Sequence, residues 1–113
     1  MASHRGKSSR HYVYALYDPL KPTVFRYIGL SNDPAGRLKG HLADAIYANN
    51  TPKCRWIRGV VEAGRTPCLI VVCRTETKAQ GLILERATKV AARERGHLLT
   101  NDVSGWAKHK KVL

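Results

Sequence analysis

Side chains that can hold a phosphate or exchange a proton are concentrated in the first 41 residues of the chain. Two tyrosine triplets come first, Tyr12-Val13-Tyr14 and Tyr27-Ile28-Gly29, and Arg37 and His41 follow four residues apart. Phenol and imidazole groups can exchange protons with water, and a guanidinium is a permanently charged fork that matches phosphate oxygens. This combination indicates chemistry on a phosphodiester.

The charge of the chain favours the same kind of substrate. Lys and Arg number 20 against 8 Asp and Glu, so the net charge is +12. Internal ion pairs cannot neutralise that excess, and nucleic acid is the commonest polyanion that binds such a surface. A solvated basic surface, a ribosomal protein and a membrane-surface protein are weaker alternatives.

The composition also indicates where in the cell the protein is expected. The longest apolar run, Cys68 to Cys73, is too short to span a bilayer, and the first residues lack the apolar run of a signal peptide. Three cysteines without CxxC spacing argue against a disulfide scaffold and a zinc ribbon, so we expect small buried apolar residues. We expect a cytoplasmic protein that associates with DNA or the nucleoid through its substrate, with no membrane partner.

Local patterns predict the order strand, strand, helix, helix, strand, helix. A cap-then-proline pair, Asp33-Pro34 or Thr51-Pro52, marks the start of each of the first two helices, and glycines at 64 and 96 end the second and third. The expected strands cover 11–17, 24–30 and 68–74, and the expected helices cover about 34–47, 52–63 and 76–95. This order fits an α/β (α+β) domain with a three-stranded, mostly antiparallel sheet flanked by helices.

Apolar periodicity predicts which faces of these elements are buried. The run 68–74 is continuous and rich in Ile and Val, so we expect a buried strand. The helices should each bury one apolar stripe. The predicted stripes are Leu38, Leu42, Ala45 and Ile46; then Cys54, Ile57, Val60 and Val61; then Ala79, Leu82, Ile83, Ala87, Val90 and Ala91.

Basic residues cluster at both ends of the chain. Residues 1–10 read as a flexible basic arm, 11–106 as the folded domain and 107–113 as a basic tail. Such segments add phosphate contacts that do not depend on base sequence. The candidate phosphate contacts are Arg5, Lys7, Arg10, Lys39, Lys108, Lys110 and Lys111, beside Arg37.

The ordered set of residues resembles the GIY-YIG nucleases, a family named for two triplets on adjacent strands. Here the second triplet is complete as Tyr27-Ile28-Gly29, and the first reads Tyr12-Val13-Tyr14, which keeps the family's tyrosine as Tyr14. Arg37 and His41 match the arginine and histidine of the first helix. Glu85 falls on the long helix where the family carries a metal-binding glutamate, and Asn101 falls in the loop that follows it.

The resemblance implies metal-dependent hydrolysis of DNA, with RNA left open as a substrate. Glu85 would bind one Mg²⁺ or Mn²⁺ ion, Arg37 would hold the phosphate, and Tyr14 would be the base that activates water. A free phenol has a pKa of about 10, so Tyr14 would need positive charge nearby, from Arg37, His41 or Lys39. Tyr27 and His41 would orient water or relay a proton. Supporting roles fall to Gly29, through close backbone approach or a bulge near the cleft, and to Asn101.

Other interpretations remain at this point. Tyr12 and Tyr17 suit half-buried strand positions, and Glu85 could simply pair with Lys89 four residues on. The whole chain could be a non-catalytic nucleic-acid-binding module of the same fold, or a small basic protein associated with RNA. One active site cuts one strand, so double-strand cleavage would require a homodimer, a partner protein or sequential nicking.

Overall fold

The computed structural model describes residues 10–47 and 49–100. The elements follow the predicted order, two strands, two helices, a strand and a helix. The strands are β1 (His11–Tyr17), β2 (Phe25–Ser31) and β3 (Cys68–Thr75). The helices are α1 (Pro34–Ile46), α2 (Pro52–Glu62) and α3 (Lys78–Glu94).

The three strands form one antiparallel sheet in the order β2-β1-β3. In the hairpin of β1 and β2, Tyr14 lies opposite Gly29 and Ala15 lies opposite Ile28. Because side chains alternate along a strand, Val13 and Ala15 point to one face of β1 and Tyr14 to the other. The central strand therefore carries the core on one face and the first predicted tyrosine on the other.

The face with Val13 and Ala15 packs against α3. A buried cluster joins these two residues to Ile28, to Ala92 of α3 and to Leu99. The helix approaches β2 closely near Gly81. A Cβ on that residue would lie 2.7 Å from Cδ1 of Leu30, so a larger residue there would have to displace the end of the Leu30 side chain.

The opposite face is covered by α1, and α2 packs on α1. Their shared core contains Ala45 of α1 and Cys54 and Ile57 of α2, with Leu42 and Trp56 packed against it. Buried aliphatic side chains of this kind supply the main stabilisation of helix pairs in a small domain. This pair of helices fixes where the N-terminus of α2 lies relative to the sheet.

The outer edge of β2 is covered by the residues that follow α3. The Phe25 amide donates to Nδ1 of His97 at 2.8 Å, and the Thr100 hydroxyl donates to the Arg26 carbonyl oxygen at 2.7 Å. Arg26 Nε donates to the Leu98 carbonyl oxygen at 2.8 Å. These bonds satisfy groups of an edge strand that would otherwise face water.

Two of the predicted burial patterns are wrong. The strand β3 lies at the sheet edge, so Ile70, Val71 and Val72 remain between 41% and 46% exposed instead of buried. On α3, the predicted stripe faces outward and Ile83 is 69% exposed, because the close approach at Gly81 turns the other side of the helix to the sheet. The other exposed members of that stripe are Ala79, Leu82, Ala87 and Val90.

Smaller corrections concern the other helices and the cysteines. Ile46 and Val61, the last residues of the predicted stripes of α1 and α2, are exposed, while Ala45 and Val60 are buried as predicted. The three cysteines are free thiols, of which Cys54 is buried and the other two are partly exposed. Within the described part of the chain, no helix has the length and apolar composition needed to cross a bilayer.

Candidate active site

The start of α1 places the two predicted helix residues beside the sheet. Asp33 caps the helix by accepting a hydrogen bond from the Gly36 amide, and Ser31 Oγ accepts from the Asp33 amide at 2.8 Å. Ser31 is the last residue of β2, so the turn from strand to helix is only two residues long. The first turns of α1, with Arg37 and His41, therefore lie next to the hairpin.

Gly29 provides the space in which the Tyr14 side chain lies. The two residues are register partners, and a Cβ at position 29 would lie 2.5 Å from Tyr14 Oη and 2.6 Å from Cζ. Real side chains do not approach so closely, so the phenol occupies the volume that any other residue at 29 would fill. The close approach predicted for Gly29 is thus made by a tyrosine ring, across the hairpin.

Three rings form a compact group, which we call the tyrosine–histidine cluster: Tyr14, Tyr27 and His41. Tyr14 Oη forms a buried hydrogen bond with His41 Nε2 at 2.8 Å. The His41 ring meets the Tyr27 ring edge-on at 4.9 Å between centroids, and the two tyrosine rings are 6.2 Å apart. The structure therefore brings both tyrosine triplets and the α1 histidine to one point.

His41 is a neutral imidazole at physiological pH. It is fully buried, and desolvation lowers its pKa to about 4, helped by the positive charges of Lys53 and Arg37. Its Nδ1 atom has no hydrogen-bond partner among the described residues. A buried neutral imidazole with one nitrogen on a phenol can accept or donate a proton at that phenol, but it cannot supply the positive charge considered above.

Burial raises the pKa of Tyr14 to about 12, and the nearby Tyr27 adds to the rise. Arg37 opposes the rise through its positive charge, and the negative charge of Glu85 strengthens it. The pKa of Tyr27 is also raised, by burial first, with the same two charges acting in the same senses. Tyr14 is therefore a neutral phenol in the free protein, and Arg37 does not outweigh its desolvation.

These electrostatic effects place Arg37 and Glu85 within interaction range of both phenols. Arg37 is exposed on α1, while the Glu85 side chain is 19% exposed on α3. One cation and one anion, both with access to solvent, thus flank the buried tyrosine–histidine cluster. All five predicted catalytic side chains converge on one site, although they come from four elements of the fold.

Glu85 also makes the helical ion pair that was the alternative interpretation of its sequence position. Lys89 Nζ lies 3.5 Å from Glu85 Oε2, one helical turn away. The two side chains are partly exposed, 27% for Lys89 and 19% for Glu85, so the carboxylate can still be reached by another cation. No group of three or more metal-ligating side chains occurs within residues 10–47 and 49–100. One carboxylate with water and phosphate oxygens is a set that Mg²⁺ accepts in proteins, so Glu85 fits such an ion.

Lys53 also belongs to the site, although its sequence context did not predict a role there. Its ammonium lies 5.4 Å from the centroid of the Tyr27 ring, and its charge contributes to the low pKa of His41. It also lies 3.9 Å from a carboxylate oxygen of Asp44. Lys53 follows Pro52 at the start of α2, and only the packing of α2 on α1 brings it to the sheet. No local signal could have indicated this.

Other predicted contacts lie away from the cluster or outside the described residues. Lys39 is exposed on α1, and Arg10 lies at the start of the described chain, 4.0 Å from Glu76. Asn101 and the remaining predicted basic contacts lie outside the described residues. The latter are Arg5, Lys7, Lys108, Lys110 and Lys111.

Comparison with known proteins shows to which family the chain belongs. A family model described as the GIY-YIG catalytic domain matches residues 10–97, which is 88 of the 113 residues and includes the whole cluster, Arg37 and Glu85. Searches of curated proteins and of solved structures gave no significant match. GIY-YIG domains are nuclease-type domains that act on nucleic acid and generally use a divalent metal ion. The chain belongs to the GIY-YIG family.

Proposed function

We propose that the protein is an endonuclease that hydrolyses DNA phosphodiester bonds at the tyrosine–histidine cluster, with Arg37 and Glu85 as its charged partners. The observation that carries this proposal is the buried 2.8 Å contact between Tyr14 and His41, flanked by one guanidinium and one carboxylate. A purely structural tyrosine pair has no need of both charges beside it.

Water is the nucleophile, and Tyr14 is the group that receives its proton. Because the pKa of Tyr14 is about 12, the phenol is protonated at rest and must lose its own proton as it accepts the new one. His41 Nε2 lies 2.8 Å from Tyr14 Oη and is placed to take the phenol proton. At rest the neutral imidazole therefore carries its proton on Nδ1, the buried nitrogen without a partner among the described residues, and it becomes an imidazolium with a proton on each nitrogen when it takes the phenol proton. Tyr27 holds the imidazole edge and limits its movement.

Arg37 binds the phosphate that is attacked. It is exposed, permanently charged and close to both phenols, so a phosphate on it would lie beside the water that Tyr14 activates. Its hold strengthens as negative charge develops on the phosphate oxygens in the transition state. In-line attack of this kind leaves a 5′-phosphate and a 3′-hydroxyl.

Glu85 would hold a single Mg²⁺ or Mn²⁺ ion in place of its pair with Lys89. Such an ion, when bound, neutralises phosphate charge and stabilises the leaving oxygen. We propose that Lys53 adds a further positive charge where the DNA backbone passes the site. The function implies a protein that works on DNA in the cytoplasm or nucleoid. Because the site cuts one strand per event, double-strand cleavage requires a second copy, a partner protein or a second nick.

Incubation of supercoiled plasmid with Mg²⁺, Mn²⁺ or EDTA tests the proposal. We expect metal-dependent nicking by the wild type, complete loss in Glu85→Gln and retention in Lys89→Gln, which removes the ion pair but leaves the carboxylate. Equal loss of nicking in the two variants would mean that Glu85 acts only through Lys89. A plasmid that stays intact with every metal, yet is retarded in a gel, would favour a non-catalytic binding module.

A further inference from the structure

A cavity of about 390 Å³ lies between the β1–β2 loop, β2 and α2. Basic side chains outnumber acidic ones in its wall, and one aromatic ring is present, Trp56. Its volume is in the range of pockets that hold small organic ligands. The basic and aromatic side chains of the wall are Lys21, Arg26, Arg55, Trp56 and Arg65.

The cavity and the active site share two elements of the fold. On β2, Arg26 lines the cavity, and the next residue, Tyr27, belongs to the tyrosine–histidine cluster. On α2, Lys53 lies over the Tyr27 ring and Trp56, three residues on, lines the cavity. Three residues correspond to roughly 5 Å along a helix, so the cavity adjoins the tyrosine–histidine cluster along both elements.

A cation and an aromatic face are already held together in the cavity wall. The Arg26 guanidinium lies 5.6 Å from the centroid of the Trp56 indole, and its Nε is fixed by the Leu98 carbonyl oxygen at 2.8 Å. Burial lowers the pKa of Arg26, so an anion placed beside the guanidinium would offset its lost hydration. Arg65 differs, because Asp18 binds it through two bonds of 2.8 and 2.9 Å. Arg26 is thus the cation better placed for a ligand.

We propose that this cavity binds an unpaired nucleotide of the substrate strand, next to the bond that is cut. The base would stack on Trp56 and its phosphate would meet Arg26. A base inside a duplex is paired and stacked and cannot present its face to the indole, whereas an unpaired base can. The inference rests on the proposed nuclease function and narrows its substrate to DNA with a single-stranded segment or a junction at the cleavage site.

Binding can be tested without cleavage, in EDTA. The chain has two tryptophans, so Trp106→Phe leaves Trp56 as the single indole fluorophore. Titration with single-stranded oligothymidylate should quench the Trp56 emission in a saturable way. Arg26→Gln should weaken that binding by about 5-fold or more, in line with the loss of one stacking or charged contact. Arg74→Gln, the same charge change on the opposite edge strand β3, should change it less than about 2-fold.

Several results would overturn the proposal. Binding of a labelled oligonucleotide without any change in Trp56 emission would place the strand elsewhere. Equal losses in Arg26→Gln and Arg74→Gln would mean that only net charge matters. If thymidine 5′-monophosphate bound as tightly as the oligonucleotide, the cavity would be a site for free nucleotides and not for a strand.

The same experiment separates the inference from the nuclease function. Quenching with no plasmid cleavage in any metal would refute the nuclease proposal and retain the nucleotide site. Cleavage of plasmid without Trp56 quenching by any oligonucleotide would refute the nucleotide site and retain the nuclease proposal.

Discussion

The substitution Gly29→Ala tests how the sheet register builds the active site. The added methyl group would lie 2.5 Å from Tyr14 Oη and 2.6 Å from Cζ, well inside van der Waals contact. Gly29 is not one of the positive-φ glycines within the described residues, so the effect is steric and not a matter of backbone strain. Tyr14 is 1% exposed, so its ring cannot relieve the clash by moving into solvent.

We expect two consequences of different size. Overpacking of this kind destabilises a protein by about 1–3 kcal/mol, measurable as a shift in urea-induced unfolding. The ring must also move away from His41, and a displacement of about 1 Å at a reacting group can reduce the rate about 100-fold. The nicking rate at temperatures where the variant is fully folded reports the second effect separately.

Gly59→Ala is the matched control. A Cβ at Gly59 of α2 meets nothing within 4 Å, and alanine favours a helix over glycine by up to about 1 kcal/mol, so this variant should be at least as stable as the wild type. In a Tyr14→Leu background, the stability cost of Gly29→Ala should fall to about 0.5 kcal/mol or less, because the clash is gone. A Gly29→Ala protein with wild-type stability and activity would refute this account of the site.

Three further predictions concern stability. The pKa of His41 is about 4 in the folded protein and 6.5 in the unfolded chain, so the unfolded chain binds more protons between about pH 6.5 and pH 4. The free energy of unfolding, measured with urea, should therefore fall by about 1–3 kcal/mol over that window. The fall should be smaller in His41→Gln. The bond to Arg65 lowers the pKa of Asp18 to about 2, so the ionised Asp18 stabilises the folded protein above its ordinary pKa. This contribution to stability should disappear as pH falls from about 4 to 2. In thermal melts at pH 7, Asp18→Asn should lack the same contribution. Thr51→Ala removes the acceptor of the Cys54 amide at the start of α2 and should cost about 1 kcal/mol in the same melts; no change would mean that water replaces the cap.

Local signals in the sequence were enough to predict the elements of the fold. Asp33 and Thr51 each accept a hydrogen bond from an amide in the first turn of the helix they cap, as expected for a cap followed by proline. Gly64 and Gly96 take positive φ values just after the second and third helices end. These features depend on residues within a few positions of one another, so a single sequence contains the information.

Features that depend on how the elements pack were not predictable in this way. The outward stripe of α3 looks like a core stripe by periodicity, and only the close contact of Gly81 with Leu30 shows which side meets the sheet. Lys53 reaches the cluster only because α2 packs on α1. The raised pKa of Tyr14 likewise follows from its burial, which sequence spacing does not reveal.

Single-turnover plasmid nicking by Tyr14→Phe beside Tyr12→Phe shows whether Tyr14 activates the water. Both variants remove one hydroxyl from β1, but only Tyr14 contacts His41, while Tyr12 lies two residues away opposite Ser31. We expect Tyr14→Phe to nick at least about 100-fold more slowly than the wild type and Tyr12→Phe to nick at close to the wild-type rate. Equal rates for the two variants, with both proteins folded, would contradict the assignment of Tyr14 as the group that activates water.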